Sequence, residues 1–236
     1  MAPTAVVVGV GEGIGTALFQ HFATAGMDTA ICTTRTGETD PIAEDLRDAG
    51  ESARTIECDP RNPVDISQGF ADVLEAFGTI DVVTFVAGSA PKGGLFECTR
   101  SQFVDALDRD LLGGFCTTRA VVPKMEESGG GTLLYITEST GIEPRRADVG
   151  ARTAEAGFRG LASAIDEELD DFDVTYISLG EIAAQNQTGN SSSYEETASL
   201  CIDLVTGRDG EPLESTYRID FDGETPHIEA GEMSDR

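Results

Sequence analysis

Ala5-Val6-Val7-Val8-Gly9-Val10-Gly11-Glu12-Gly13-Ile14-Gly15 decides the fold. The apolar, mostly β-branched run Ala5 to Val8 suits a buried strand, and the glycines that follow break it at once. Behind them Leu18, Phe19, Phe22 and Ala23 recur at helical spacing, and Gly26 ends the pattern. A strand that passes through a glycine turn into a helix N-terminus forms an anion site. Free backbone N–H groups and the helix dipole point at a pyrophosphate, and the absent Cβ atoms let it approach. Glycine turns also serve plain strand-to-helix packing. Here a second strand, Thr29 to Thr33, completes the order strand, turn, helix, strand.

The same alternation continues along the chain. Glu57-Cys58-Asp59 closes a third strand, and residues 80–88 read as a fourth that ends in a glycine turn. Residues 130–137, 173–180 and 217–223 read as a fifth, sixth and seventh, with helical segments between them. Such alternation argues for an α/β fold with a buried parallel sheet. With the spacing Gly9-x-x-x-Gly13-x-Gly15 and the turn Val86-Ala87-Gly88, the chain resembles the short-chain dehydrogenase/reductase family over residues 4–223. The resemblance implies one Rossmann-type domain over residues 1–223, a doubly wound α/β fold with a parallel seven-stranded sheet. Residues 224–236 are then an acidic C-terminal tail, disordered or draped on a neighbour.

The resemblance also implies a nicotinamide dinucleotide. Gly9, Gly11, Glu12, Gly13, Ile14 and Gly15 would cradle its phosphates, Asp59 would touch the adenine amino group, and Ala87 and Gly88 would flank the adenosine ribose. Cofactor choice between NADP(H) and NAD(H) rests on the end of the second strand, Cys32-Thr33-Thr34-Arg35. No acid stands there to hold ribose hydroxyls, and Arg35 suits a 2′-phosphate, which tips the balance to NADP(H). Against it, Glu12 lies where phosphate-binding relatives often carry a base, and Arg35 equally suits a solvated strand end.

The catalytic positions depart from the family pattern. The family uses Asn on its fourth helix, Ser after its fifth strand, and Tyr-x-x-x-Lys on its fifth helix. Tyr is the general acid/base, Lys lowers its pKa, Ser polarises the substrate oxygen, and Asn completes a proton relay. Here those positions hold Asp110, Glu138, Ala151 and Glu155, with Ser139 displaced by one from the Ser position. Gly160 and the helix from Leu161 to Leu169 keep the register. Alanine carries no titratable group, and Glu for Lys reverses the charge beside the nicotinamide ribose; positioned acid/base catalysis is worth roughly 10²–10⁴ in rate. Asp110, Glu138 and Glu155 come from three elements. Either they converge on the cleft and share a proton or a hard cation, or they point apart, Glu155 to Arg159 and Asp110 to Arg109.

Composition sets the outer bounds. At 236 residues the chain suits one compact domain, with no repeat and no long apolar run. No basic region followed by an apolar stretch opens it, so a cytoplasmic protein is expected. The cysteines Cys32, Cys58, Cys98, Cys116 and Cys201 are odd in number and lack metal-ligand spacing, so they read as buried thiols. His21 and His227 fall away from the expected chemistry. Formal charge is −27, and 14 of the 16 basic residues are Arg. Such a carboxylate-coated surface suits a salt-rich cytoplasm, where repulsion is screened within roughly 3 Å at 1 M salt. Nucleic acid and membranes are therefore not expected partners.

Three functions fit. The first is a cofactor-binding sensor or partner subunit with the usual chemistry lost. The second is an active oxidoreductase acting on a small carbonyl or alcohol through other groups, such as Ser139 with Asp110. The third is a non-binding scaffold whose glycine turn is a relic. A small-molecule ligand has no apolar pocket signature in the polar stretch Glu181–Tyr194, and no metal site is expected. A homodimer or homotetramer is expected. Its apolar faces would be Phe103, Leu107, Leu111 and Leu112 on one helix, and Phe158, Leu161, Ile165 and Leu169 on another.

Overall fold

The computed structural model describes residues 2–9, 13–87, 93–138, 149–179, 192–206, 216–222 and 225–231. Strands β1 (Thr4–Gly9), β2 (Asp28–Thr33), β3 (Ala53–Glu57), β4 (Val82–Ala87), β5 (Gly131–Glu138), β6 (Phe172–Leu179) and β7 (Thr216–Asp222) lie parallel in one sheet. The order is β3-β2-β1-β4-β5-β6-β7, extended at the end by β8 (Thr225–Gly231). The sheet grows outward from β1 to β3 and then restarts on β1's other edge with β4. That reversal opens a crevice beyond the carboxyl ends of β1 and β4, the place where such sheets bind ligands.

Both faces are covered, as near-continuous apolar strands require. Ala5 and Val7 face a cluster with Leu18, Phe19 and Phe22 of α1 (Ile14–Thr24), Leu46 of α2 (Thr36–Asp48) and Cys201 of α7 (Ser192–Thr206). Val6 and Val8 face the opposite cluster. It holds Phe70 of α3 (Pro63–Phe77), Met125 of α5 (Gly113–Glu126), and Phe158 with Ala162 of α6 (Val149–Glu168). Between α4 (Arg100–Ala106) and α5 runs a π-helical turn, Leu107–Leu112, a local geometry that often re-aims side chains at functional sites.

Three sequence expectations change. The sheet has eight strands, because β8 (Thr225–Gly231) pairs antiparallel with β7 from Asp222↔Thr225 to Thr216↔Gly231. Most of the expected tail is thus a strand. Its sequence has no apolar period, but β7 offers an unpaired edge only two residues away. Next, Phe158 cannot serve an interface. It is fully buried, with ring centroids 5.3 Å from Phe85 and 5.2 Å from Tyr135, and a Cβ on Gly114 would fall within 2.1 Å of it. Leu111, Leu161, Ile165 and Leu169 are half-buried against the same core, so the exposed apolar groups here are Val104, Leu112 and Phe115. Finally, Cys98 and Cys116 are only half-buried; Cys32, Cys58 and Cys201 are buried, and all five are free thiols. No helix among the described residues is long and apolar enough to cross a membrane.

Candidate functional site

Gly9 ends β1 with φ +124, and a Cβ there would meet the Val86 carbonyl oxygen at 2.3 Å. Only glycine lets β1 leave the sheet this close to β4. Gly13, at φ 73, precedes α1, and no side chain caps the helix or places an acid in its first turn. The N-terminal amides of α1 are thereby left to an anion. Gly15 and Ile14 are buried as α1 begins, so any contact they make with a phosphate is through backbone. Gly11 and Glu12 lie outside the described residues, as does Gly88; Ala87 is buried at the end of β4.

Beside this turn lies a cavity of about 200 Å³ lined by Gly9, Thr33, Thr34, Arg35, Asp59, Pro60, Arg61, Phe85, Val86, Arg109 and Asp110. It brings together Gly9, Arg35, Asp59 and Asp110, which the sequence singled out separately. Three arginines line it in a chain of net charge −27. Arg35 follows β2 and stands 3.6 Å from Glu38. Arg109 donates from Nε to Asp110 Oδ1 at 3.1 Å, and its Nη2 is buried without a hydrogen-bond partner among the described residues. Asp110 itself is only 4 % exposed.

Asp59 is held tightly. Its Oδ1 accepts from Arg61 Nε at 2.9 Å and from the Arg61 amide at 2.9 Å, and its Oδ2 accepts from Arg61 Nη2 at 2.7 Å. The Arg61 hydrogen bonds hold the Asp59 carboxyl below the usual carboxylate range, despite some desolvation. Sequence reasoning named Arg109 only as a partner of Asp110 and missed Arg61, although Asp59-Pro60-Arg61-Asn62-Pro63 is a legible turn followed by a helix start.

The catalytic positions come from three elements. Ala151 and Glu155 lie one turn apart on α6, on one face. Glu155 Oε1 accepts from Ser178 Oγ of β6 at 3.4 Å, rather than pairing with Arg159. Nearby, Tyr176 shares a 2.8 Å hydrogen bond with Thr137 of β5. Burial first, and the Glu155 charge after it, push the Tyr176 hydroxyl up to about 12. Glu138 closes β5, while Ser139 lies outside the described residues. Among the described contacts, Asp110 bonds Arg109 and Glu155 bonds Ser178. Among the described residues no group of three His, Cys, Asp or Glu could hold a metal. His21 meets Glu195 of α7 at 2.5 Å, away from this crevice.

Comparison with known proteins agrees with the geometry. A family model described as short chain dehydrogenase matches residues 3–195. An uncharacterized oxidoreductase of Mycobacterium tuberculosis is 33% identical over 64% of this chain, which spans 58% of that relative's length. A 3-oxoacyl-acyl-carrier-protein reductase of Aggregatibacter actinomycetemcomitans is 25% identical over 94% of this chain and 91% of its own. In fold, the chain is like an alcohol dehydrogenase of the archaeon Thermococcus sibiricus complexed with 5-hydroxy-NADP. The TM-score is 0.81 at 20% identity, covering 94% of this chain and 96% of that one. An actinorhodin polyketide ketoreductase with NADPH gives a TM-score of 0.80 at 19% identity, with coverage of 94% and 96%.

Proposed function

The chain belongs to the short-chain dehydrogenase family, and from that premise we propose that it binds a nicotinamide dinucleotide in an intact cradle while lacking the family's proton-transfer groups. The uncapped α1 N-terminus and the Gly9 approach suit the pyrophosphate. The cavity beside them suits the adenosine half, and Arg35 at its rim favours NADP(H) over NAD(H). The bound dinucleotide would supply a hydride donor or acceptor; the chain would have to move the proton.

One observation carries the second half of the proposal. The α6 face that should hold an acid/base and its cation holds Ala151 and Glu155 instead, and Glu155 is engaged by Ser178. An alanine neither gives nor takes a proton. A carboxylate in place of an ammonium raises, rather than lowers, the pKa of any hydroxyl beside it; at Tyr176 the Glu155 charge adds in this sense to the larger upward push of burial. The role is then that of a cofactor-binding sensor or partner subunit of a homodimer or homotetramer. The salt-adapted surface belongs to the same proposal.

The test is the paired substitution Ala151→Tyr with Glu155→Lys, assayed for cofactor turnover on ketones and alcohols in molar KCl. The wild type should show little hydride transfer, and the pair should raise it by about 10²–10⁴. Wild-type turnover that the pair does not raise would defeat the proposal.

A further inference from the structure

We propose that Cys32 and Cys58 form a two-thiolate site for a soft monovalent cation, Cu(I), in the core between the sheet and α3. Neither cysteine lines the cavity beside the glycine turn, so the site stands apart from dinucleotide binding.

The sheet places the pair. Cys32 lies in β2 beside Ile56 of β3, and Cys58 follows β3 with its amide donating to the Thr33 carbonyl at 3.1 Å. The parallel ladder thus still holds at Cys58, two residues beyond Ile56. Residues two apart on a strand share a face, and Cys32, Ile56 and Cys58 all enter the cluster that holds Ile66 and Phe70 of α3. Both cysteines are 2 % exposed.

The two thiols are also joined to each other. Their hydrogen bond first, and burial after it, hold the Cys32 thiol well above the usual range; the same bond draws Cys58 down against its own desolvation. Cys32 is therefore the donor, and Cys58 is the sulfur that gives up its proton first.

Spacing decides what the pair can hold. Strands about 4.8 Å apart, with a rise of about 3.3 Å per residue, set the two Cα atoms roughly 8 Å apart. A disulfide needs them within about 6.8 Å, so oxidation would have to shift β3 against β2. Two metal–sulfur bonds in line span roughly 4.5 Å between sulfurs, which side chains leaning together from one face can meet.

Coordination number then selects the ion. Among the described residues no group of three His, Cys, Asp or Glu could hold a metal, which leaves Zn²⁺ short of its four ligands. Soft thiolates favour Cu(I), a d¹⁰ ion that is readily two-coordinate. From the singly deprotonated pair the exchange balances. One Cu(I) enters, the shared proton leaves for solvent, no electron moves, and the charge of the site is unchanged. Gly69 of α3 supplies the room. A Cβ there would lie 3.6 Å from Cys58 Sγ and 3.6 Å from Ile56 Cγ2, so its absence leaves a methyl-sized gap against the sulfur.

The test is transfer of Cu(I) from its bicinchoninate complex to the reduced, full-length protein. It is run without oxygen in molar potassium acetate, because chloride itself binds the ion. Wild type should bleach the complex at one ion per chain, and X-ray absorption should find two sulfur neighbours around the copper. Cys32→Ala and Cys58→Ala should each weaken uptake about tenfold or more, while Cys98→Ala with Cys116→Ala should leave it unchanged. Gly69→Ala keeps both thiols and fills the gap, so it should weaken uptake about tenfold with the fold intact by circular dichroism. That variant decides the matter if a core cysteine variant unfolds. No uptake by wild type would overturn the proposal, as would uptake that survives loss of both cysteines or is unaltered in Gly69→Ala. A third ligand atom in the copper shell, or a Cys32–Cys58 disulfide in air-oxidised protein, would overturn the spacing on which it rests.

Discussion

At the scale of single residues, one glycine does what no other side chain could. Gly9 combines φ +124 with a Cβ position 2.3 Å from the Val86 carbonyl oxygen. Gly9→Ala should cost about 1–3 kcal/mol from backbone strain alone, with more from pushing β4 away, and should abolish dinucleotide binding. Urea unfolding of the variant would measure it; a midpoint equal to wild type would show that the turn is not built as described. The need for glycine here was legible in the sequence, since a strand followed at once by spaced glycines has few other uses. The fate of Asp59 was not. Its spacing to Arg61 is visible, but only coordinates show that the arginine folds back onto it rather than reaching into solvent. Glu155 teaches the same lesson. Helical spacing suggested Arg159 as partner, and the partner is Ser178 on a strand 23 residues away.

At the scale of elements, buried tyrosines make the polar links within the sheet and from it to α5. Tyr176 of β6 bonds Thr137 of β5 at 2.8 Å, and Tyr135 of β5 bonds Thr118 of α5 at 2.6 Å. Burial pushes the Tyr176 hydroxyl up to about 12 from an unfolded value near 10. A raised pKa means that the folded state holds its proton longer, so this contribution to stability is complete below pH ~10 and is lost as pH climbs towards the folded value. Tyr176→Phe should therefore flatten the alkaline decline in stability above pH ~10, while costing about 1 kcal/mol at neutral pH for the lost hydrogen bond. Chemical unfolding from neutrality to pH ~11 would check it; an equally steep decline in the variant would place the effect elsewhere. The order of strands and helices was legible from period and punctuation. Two elements were not. The π-helical turn reads as ordinary helix, because one extra residue in a turn leaves no mark on composition. β8 exists because an edge needed a partner, which is a tertiary fact.

At the scale of the whole molecule, charge and site pull in opposite directions. A formal charge of −27 repels anions, yet the cavity beside the glycine turn gathers Arg35, Arg61 and Arg109. The sequence showed the acidity and pointed to Arg35 for the cofactor; Arg109 and Arg61 reach the cavity from the π-helical turn and from the turn after β3, elements far apart in the chain. An anionic dinucleotide must cross a repulsive surface to reach a pocket lined by arginines, and screening by salt lowers that first barrier. The proposed function is dinucleotide binding without the family's proton-transfer groups. Its most direct test is a calorimetric titration of the purified, folded wild-type protein with NADPH in molar KCl. Saturable binding at one site per chain with micromolar affinity is the predicted result; no saturable binding up to millimolar NADPH would contradict it.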